Sequence, residues 1–479
     1  MTTVTLSARK LGILLADWRT SGPAYTALAD RIGLLIIDGR IAAHTRLPAE
    51  RELAEALILS RTTVSSAYRE LRERGYLRSV QGSGSVTQIP LRERASSPLA
   101  IPGSQRYDLT AACPAAWPGL RQLTERTLAN TPEIFADRGY DVVGIPELRE
   151  RIAARYTERG LPTTADQIMV TIGAQHAINL LSRFLLRRGD RALIESPSYP
   201  HAFDALNATG ARLNTIPVRF EGWDADEIEA LLKRVSPSAA YLIPDFHNPT
   251  GMSMPIETRR RVIRAAEREG TTLIIDETTA ELPFDLARQS IPFAAAVPEG
   301  EADHVATIGS LSKTVWGGLR IGWVRSTPST IRSLVASRPT HDLGTPTFDQ
   351  HVALNAFDEL NDIVQFRSQQ INASFAALTT ALERYIPEWT LFPAEGGVCT
   401  WANLGAPVSS ALTLAAHANG VGLTAGPRFG LDGEGERFLR LPMSGPADDL
   451  DGAIQALAEV WHSVMAGNHT VAAPLVDVV

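Results

Sequence analysis

The chain has 479 residues, enough for two or three domains, and 44% hydrophobic and 21% charged residues, an ordinary globular composition. The net charge of −7 excludes a protein that is basic throughout. The charge is uneven, because residues 1–90 carry a net charge of +4 and the remainder carries −11. This distribution predicts an N-terminal head that binds a polyanion, joined to an acidic body. Two cysteines exclude a disulfide framework and a zinc ligand set, and no apolar run approaches the roughly 18 residues of a membrane span, so we expect a cytoplasmic protein without a membrane anchor.

Three helices are predicted in the first 75 residues. Apolar residues recur at helical spacing over Tyr25–Ile36, and a short second helix covers Ala49–Leu57. Ser60 is placed to cap a third helix, which Gly75 ends. The apolar stretch Leu11–Ala16 is too short for a signal sequence, and we expect it to pack onto this head.

The third helix presents a polar and basic face at its beginning. Arg61, Thr62 and Ser65 lie opposite its apolar stripe, and a hairpin with a glycine-rich tip follows over residues 76–87. A helix-turn-helix needs such a second helix, because its recognition helix enters the major groove N-terminus first. A three-helix structural cap with a solvated basic face is the alternative that spacing alone leaves open.

The residue string of this head resembles the winged helix of the GntR family of bacterial repressors. The matching segments are Leu47-Pro48-Ala49-Glu50-Arg51-Glu52-Leu53-Ala54, Ser60-Arg61-Thr62-Thr63-Val64, Gly75-Tyr76-Leu77 and Gly82-Ser83-Gly84. The resemblance implies DNA contacts from Arg51, Ser60, Arg61, Thr62, Thr63 and Gly82. One position departs from the family, because Ile58 stands in the turn that usually carries glycine. A β-branched residue suits positive φ poorly, so we expect a strained or reshaped turn.

A connector separates this head from the rest of the chain. Residues 89–107 contain three prolines with serine and glycine and show no apolar periodicity, which is typical of an extended linker. We therefore expect a DNA-binding domain over residues 1–88, a linker over 89–107 and an effector domain over 108–479.

Short apolar runs alternate with helical patterns in the body. Five runs stand out: residues 167–171, 191–195, 240–244, 272–276 and 305–309. Continuous apolar strands between helices predict a mostly parallel sheet covered on both faces, an α/β fold. Functional residues are then expected where strands end and in the following turns.

Lys313 is the most informative residue of the body. The chain has 46 basic residues but only three lysines, and Lys313 lies between Ser310 and Ser312 on one side and Arg320 seven residues on. A lysine can form an imine with an aldehyde, which arginine cannot do. Hydroxyls and an arginine around it fit pyridoxal 5'-phosphate (PLP), whereas a surface lysine in a loop is the alternative.

Four further features fit the same cofactor. Gly173-Ala174-Gln175 opens a helix whose N–H groups suit a phosphate, and Tyr199 lies on a proline-stiffened loop, suited to stacking on a ring. Asn248 lies in a turn of fixed shape, and Asp276 ends an apolar strand, where a carboxylate needs a partner such as a protonated pyridine nitrogen. Each has an ordinary structural alternative, such as a core tyrosine or a helix cap at Asp276.

Taken in order, these motifs resemble the fold-type I PLP enzymes of the aspartate aminotransferase superfamily. The resemblance implies Lys313 as the catalytic, imine-forming lysine and Arg440 as the residue that binds the α-carboxylate of a substrate or effector. It implies cofactor contacts from Lys313, Ala174, Gln175, Tyr199, Asn248, Asp276, Ser310, Ser312 and Arg320, and from Tyr140, which would reach the phosphate of the partner subunit. The chain departs from the family at Thr278 and Thr279, where a tyrosine that shares the ring phenolate oxygen is usual.

A winged helix, a linker and a fold-type I body with large and small subdomains together resemble the MocR subgroup of GntR regulators. This implies a PLP-dependent transcriptional regulator that binds a double-stranded DNA operator and senses an amine, an amino acid or PLP through an imine at Lys313. It also implies a homodimer, head-to-tail, with each head over the body of its partner. An active aminotransferase with an accessory DNA module is the alternative, and a repressor with an inert body is another. The threonine pair favours the regulator.

Overall fold

The computed structural model describes most of the chain, namely residues 5–15, 18–19, 23–37, 40–42, 44–80, 84–88, 105–130, 132–136, 138–287, 291–431 and 435–466. These residues form a small helical head, a large α/β unit and a smaller α/β unit. Among them, no helix is both long enough and apolar enough to cross a membrane. Most of the predicted linker lies outside the described residues.

The head contains four helices and a two-stranded antiparallel hairpin: α1 (Ala8–Leu15), α2 (Ala24–Ile37), α3 (Glu50–Leu57), α4 (Arg61–Glu73), β1 (Leu77–Val80) and β2 (Gly84–Thr87). The prediction that the N-terminal stretch packs onto the head is confirmed, because Leu11, Leu15 and Trp18 are buried in the head core. The three predicted helices and the hairpin are present. α3 begins one residue later than predicted, with Ala49 as its cap.

The turn between α3 and α4 takes the strained form that its sequence predicts. Ile58 has φ +54° and ψ +49°, in the left-handed region, and its side chain is 90% exposed. The Leu59 amide donates to the Ala54 carbonyl at 2.9 Å, which closes the end of α3. A left-handed residue with a Cβ costs about 1–2 kcal/mol, so the helix-turn-helix holds this conformation against the preference of Ile58.

The large unit is a seven-stranded sheet with helices on both faces. Its elements in chain order, together with the short strand that precedes it, are β3 (Tyr107–Asp108), α5 (Leu120–Asn130), α6 (Pro146–Glu158), β4 (Ile168–Ile172), α7 (Gly173–Leu185), β5 (Arg191–Ser196), α8 (Pro200–Ala208), β6 (Arg212–Pro217), α9 (Ala225–Val235), β7 (Ala239–Leu242), α10 (Ile256–Arg268), β8 (Thr272–Asp276), β9 (Val305–Ser310), β10 (Ile321–Arg325), α11 (Pro328–Ser337), α12 (Thr347–Asp358) and α13 (Leu360–Tyr385).

The strand order is β4-β10-β9-β8-β7-β5-β6, and only β10 runs antiparallel to its neighbours. The five predicted strands are confirmed within two residues at each end. Alternate residues of each strand enter different cores: Leu273 and Ile275 pack on one face of the sheet, Ile274 on the other. Burial on both faces explains why these strands are continuous apolar runs. The strands β6 and β10 were not predicted.

The smaller unit follows α13 and contains β11 (Thr390–Leu391), β12 (Cys399–Asn403), α14 (Ser409–Ala418), β13 (Val421–Gly422), β14 (Thr424–Ala425), β15 (Phe438–Pro442) and α15 (Ala447–Met465). Four of its strands form a sheet in the order β11-β12-β15-β14, and β13 pairs in parallel with β3. The strand that follows the linker is thereby joined to the smaller unit.

The head packs directly on the smaller unit. Leu414 of α14 and Ala425 of β14 are buried in the core of the head. A Cβ placed on Gly33 of α2 would lie 3.6 Å from Leu414 Cδ2 and 3.8 Å from Leu71 Cδ2. Leu414 therefore occupies the space that the missing side chain of Gly33 leaves beside α4, the predicted recognition helix.

Candidate functional site

The predicted body residues meet at one edge of the large sheet. Asp276 is the last residue of β8, Ser310 is the last residue of β9, and Lys313 lies in the turn that follows. Tyr199 and Asn248 come after the ends of β5 and β7. Because carboxyl ends of parallel strands share one edge, these side chains, which are far apart in sequence, lie around one cleft, as ligand sites of open α/β sheets do.

The hydroxyl of Ser310 holds the turn that carries Lys313. Ser310 Oγ donates to the Ile321 carbonyl at 3.0 Å and accepts from the Ser312 amide at 3.1 Å. The Lys313 side chain is half-buried, and its Nζ donates to the Ala112 carbonyl at 2.9 Å. The amine is thus held in the cleft and is not a freely solvated surface lysine.

The turn before α7 and the Arg320 side chain form a compact cradle. Gly173 begins α7 with φ +74°, and a Cβ there would lie 2.9 Å from Arg320 Nη2. That same Nη2 donates to the Ile172 carbonyl at 3.1 Å. Only glycine allows the guanidinium to approach the helix N-terminus so closely. The first N–H groups of α7, which include those of Ala174 and Gln175, and this cation make one electropositive corner that suits a phosphate.

Gln175 also has unused hydrogen-bonding capacity. Its Nε2 donates to the His201 carbonyl at 3.2 Å. Its Oε1 is buried and has no hydrogen-bond partner in the part of the chain that the structure describes. A buried polar atom without a partner is costly in an ordinary core, so this oxygen is available to accept from a water or from a donor group of a ligand.

His176 supports the same corner and was missed by the sequence reasoning. Its Nδ1 accepts from the Ile172 amide at 3.1 Å, and its Nε2 lies 2.8 Å from Asp342 Oδ2. Burial lowers the pKa of His176 to about 4, against the opposing charge of Asp342. A neutral ring is required here, since protonated Nδ1 would face the Ile172 N–H, and the ring then fixes the start of α7.

Asp276 is buried, and its carboxylate is hydrogen-bonded on both oxygens. Tyr241 donates its hydroxyl to Oδ2 at 2.6 Å, and the Thr278 amide donates to Oδ1 at 3.0 Å. No helix begins after Asp276 within residues 277–287, so it is not a helix cap. The sequence indicated that this carboxylate needs a partner and proposed a pyridine nitrogen, but it did not identify Tyr241 or the Thr278 amide, which donate to it in the structure.

The threonine pair supplies no tyrosine-like group to the cleft. Thr279 is buried, and its hydroxyl donates to the Asp245 carbonyl at 3.0 Å. Thr278 is half-buried and contributes its backbone amide to Asp276. The hydroxyl of Thr279 is therefore engaged in holding the turn after β7 and is not directed at a ligand.

Asn248 and Tyr199 lie in the turns that follow β7 and β5. Asn248 Oδ1 accepts from the Cys399 thiol at 3.4 Å, which joins the large unit to β12. Burial, with the charge of Asp276 as a second cause, raises the pKa of Tyr199 to about 12. Its ring meets His201 edge to face, with centroids 5.4 Å apart. Tyr199 stays neutral at ordinary pH and presents an aromatic surface beside the buried carboxylate.

Arg440 is a buried cation on the smaller unit. It is 7% exposed, its guanidinium lies 5.2 Å from the ring centroid of Phe429, and its Nη2 donates to the Thr110 carbonyl. Burial lowers its pKa, and its Nε has no partner among the described residues. A desolvated guanidinium with a free N–H is suited to bind a carboxylate.

The structure places Tyr140 at the surface, where its side chain is 71% exposed. Its neighbour Asp141 is held in the body, because the Asp141 carbonyl accepts from the Thr345 amide at 3.2 Å. The contact of Tyr140 with a partner subunit remains a prediction.

The predicted DNA-contacting residues lie around the helix-turn-helix. Arg51 and Arg61 are exposed, and Arg51 Nε pairs with Glu55 Oε1 at 3.0 Å on α3. Ser60 is the N-cap of α4, and its Oγ accepts from the Thr63 amide at 3.0 Å and contacts the hydroxyls of Thr62 and Thr63 at 2.7 Å each. The cap thus uses part of the hydrogen-bonding capacity of these three residues. Gly82 lies outside the described residues.

Two segments of the chain match known families. Residues 136–457 match the family model of class I and II aminotransferases, and residues 24–86 match that of the bacterial regulatory proteins of the gntR family.

Two curated relatives carry the names of regulators. The uncharacterised HTH-type transcriptional regulator YisV of Bacillus subtilis is 26% identical over 94% of this chain and 99% of its own. The probable rhizopine catabolism regulatory protein MocR of Rhizobium meliloti is 29% identical over 65% of this chain and 67% of its own.

A solved enzyme shares the fold of the body. The α-aminoadipate aminotransferase LysN of Thermus thermophilus, crystallised with N-(5'-phosphopyridoxyl)-L-leucine, superposes with a TM-score of 0.68 at 26% identity. The superposition covers 75% of this chain and 92% of that one.

Proposed function

Because the chain belongs to the class I and II aminotransferase family and carries a GntR head, we propose that it is a transcriptional regulator that depends on pyridoxal 5'-phosphate. Its body senses an amine, an amino acid or PLP through Lys313, and the bound state of the body changes how the head holds DNA. The observation that carries this proposal is the position of Lys313 in one cleft with a buried carboxylate, Asp276, and a buried cation, Arg440.

The residues of the cleft fit PLP. The corner formed by Gly173, the first N–H groups of α7 and Arg320 supplies hydrogen-bond donors and positive charge, which suit its phosphate. We assign Asp276 to the ring nitrogen, Tyr199 to the ring face and Asn248 to the phenolic oxygen. When bound, the cofactor supplies an aldehyde that reacts with amines and a ring that withdraws electrons.

Arg440 gives the site its preference for an effector with a carboxylate. The guanidinium is desolvated and its Nε–H is free among the described residues, so an α-carboxylate gains a charge-assisted bond without displacing a protein carboxylate. An amino acid places its amine and its carboxylate only a few bonds apart, which suits the pair Lys313 and Arg440.

Arg440 lies on β15, and only the neighbouring strand β14 separates β15 from the head. Arg440 is paired in register with Thr424 of β14, and the next residue, Ala425, is buried in the core of the head. A small movement of β15 and β14 on effector binding therefore reaches α2 and α4 through Ala425 and Leu414. This contact supports a regulator whose body controls the orientation of its recognition helix.

We further propose that the protein acts as a cytoplasmic homodimer on double-stranded DNA. Tyr140 is 71% exposed, and Trp316, which follows the Lys313 turn, is 43% exposed. Such side chains are available to a second copy, which would place Tyr140 at the phosphate of its partner. The exposed Arg51 and Arg61 supply the charge for the operator.

The experiment is an absorbance spectrum of the protein purified with PLP, followed by borohydride reduction and peptide mapping. We expect a visible band and a reduced cofactor on the peptide that contains Lys313. The variant Lys313→Ala should lose the adduct and keep the circular-dichroism spectrum of the wild type. An adduct that persists in this variant would move the attachment to Lys10 or Lys233 and overturn the proposal.

A further inference from the structure

We propose that Tyr241 is a positioning residue for the ring nitrogen of the cofactor. Its hydroxyl donates to the Asp276 carboxylate and holds it in position to pair with that nitrogen. The inference rests on the proposed binding of PLP and adds a residue that the sequence motifs did not indicate. Tyr241 lies in β7 and is paired in register with Ile274 of β8, two residues before Asp276. A long side chain reaches this diagonal neighbour on the same face of the sheet.

The contact is short and fully enclosed. Tyr241 Oη lies 2.6 Å from Asp276 Oδ2, Tyr241 is completely buried, and Asp276 is 4% exposed. Burial and the nearby charge of Asp276 raise the pKa of Tyr241 well above its usual value. The phenol therefore remains protonated at all ordinary pH values, and its hydroxyl donates to the carboxylate throughout.

Two donors define the plane of the carboxylate. Tyr241 donates to Oδ2 and the Thr278 amide donates to Oδ1, so both oxygens of Asp276 are held in place. An ionised carboxylate has about four lone-pair sites, so it can accept a third bond from a ring N–H. Without the phenol, the carboxylate loses the donor that holds Oδ2 and pairs less strongly with a protonated ring nitrogen.

The test compares two ligands in wild type and in Tyr241→Phe. One ligand is PLP, and the other is its deaza analogue, in which a C–H group replaces the ring nitrogen and cannot pair with Asp276. Dissociation constants are measured by quenching of protein fluorescence at about pH 7.5, where an unperturbed carboxylate is ionised. Loss of a hydrogen bond to a charged group is enough to change a dissociation constant by about tenfold. We therefore expect Tyr241→Phe to raise the dissociation constant of PLP by about tenfold. We expect the deaza analogue to change by less than about twofold, since it makes no such bond.

A matched control is Tyr156→Phe. Tyr156 is also a buried tyrosine with a hydrogen-bonded hydroxyl, which accepts from Trp323 Nε1 at 3.1 Å, but it lies in the core on the other face of the sheet. We expect this variant to bind both ligands like the wild type. A second readout is the ¹⁵N chemical shift of the ring nitrogen in labelled PLP, which should move toward the unprotonated value in Tyr241→Phe only.

The outcomes separate this inference from the proposed function. If Tyr241→Phe weakens the binding of both ligands equally, the role of Tyr241 is merely structural. If it changes the binding of neither, Tyr241 has no role in cofactor binding. Either result overturns the inference while the cofactor assignment stands. A wild-type protein that binds neither ligand overturns the proposed function and this inference together.

Discussion

The side chain of Leu414 fills the notch that Gly33 leaves on α2. The distance from a Cβ built on Gly33 to Leu414 Cδ2 is 3.6 Å, and Leu71 of α4 borders the same notch. Leu414 belongs to α14, which contacts β14, and β14 is paired with the strand that carries Arg440. A leucine of the body is therefore inserted between two helices of the head, and its helix is connected through β14 to the strand of the residue proposed to bind an effector.

This contact predicts that Leu414→Ala uncouples the two functions. The variant should bind operator DNA and should show the spectral change with an amino-acid ligand, since neither site contains Leu414. The ratio of DNA affinities with and without that ligand should fall toward one, because the packing that links the sites is lost. Fluorescence anisotropy with a duplex selected by the wild type from a random pool gives the ratio.

The matched control for this prediction is Leu457→Ala in α15. Leu457 is buried in the core of the smaller unit and not in that of the head, so its truncation leaves a comparable cavity without touching α2. This control should keep the wild-type ratio. If Leu414→Ala keeps the wild-type ratio of DNA affinities, the coupling between the effector site and the head does not depend on the contact of Leu414.

Ile58→Gly should stabilise the head. Glycine removes the cost of about 1–2 kcal/mol for a left-handed residue with a Cβ, and the greater freedom of glycine in the unfolded chain offsets roughly 0.5–1 kcal/mol of that. The net gain should be up to about 1.5 kcal/mol, seen as slower hydrogen exchange of the Leu59 amide. The control is Ile13→Gly, an exposed isoleucine inside α1, where glycine should destabilise the helix. Faster exchange of Leu59 in Ile58→Gly would contradict the strained-turn interpretation.

His176 should make the folded state sensitive to mild acid. The pKa of His176 is lowered to about 4 in the folded protein and returns to about 6.5 on unfolding, so the unfolded state binds the extra proton between these values. Stability due to this group is unchanged above about pH 6.5, falls as the pH drops to about 4, and is constant below. The side chain is only 15% exposed, so the loss can approach about 3 kcal/mol.

The measurement for His176 is thermal unfolding between about pH 4 and pH 8 in wild type and in His176→Asn, a range that spans both pKa values. The difference between the two proteins should shrink as the pH falls, because asparagine accepts no proton, whereas the carboxylates titrate in both. His201→Asn serves as the control, since that side chain is largely exposed. A difference that does not depend on pH would rule out the neutral, buried His176.

DNA affinity should depend on Arg51 and Arg61. Loss of a base contact should reduce the free energy of DNA binding by about 1–3 kcal/mol and relax sequence specificity. Loss of a phosphate contact should lower the number of ions released on binding by about one, which reduces the salt dependence of the DNA affinity. The control is Arg121→Ala on α5, because Arg121 forms the same exposed pair with a glutamate four residues on, also at 3.0 Å, but in the body. If Arg51→Ala with Arg61→Ala binds like the wild type, the assignment of the DNA-binding face is wrong.

Local signals account for the parts of the fold that the sequence predicted well. The strands β5, β8 and β9 are buried on both faces and therefore read as apolar runs, and Ser60 is a capping residue in the position that capping requires. The strand β6 carries Arg212, Asn214 and Thr215 in a sheet-edge position, so its composition resembles that of a loop.

Long-range contacts could not be predicted from one sequence. The hydroxyl of Tyr241 meets Asp276 only because of the register of two neighbouring strands, and Lys313 and Arg440 meet the carbonyls of Ala112 and Thr110 from more than 200 residues away. The sequence placed these residues on elements, but tertiary packing decides which atoms touch.

The most direct test of the regulator is a DNA-binding titration run beside a turnover assay on the same PLP-loaded protein. A panel of amino acids is added to the protein with its selected duplex, and 2-oxo acid partners are supplied in a coupled assay. Because the chain has Thr278 and Thr279 in place of a tyrosine, we expect at least one amino acid to change the absorbance spectrum and the DNA affinity, with transamination far below ordinary enzyme rates of about 1–10³ s⁻¹. Sustained turnover in that range with no amino acid altering DNA affinity would contradict the account and identify an aminotransferase with an accessory DNA-binding module.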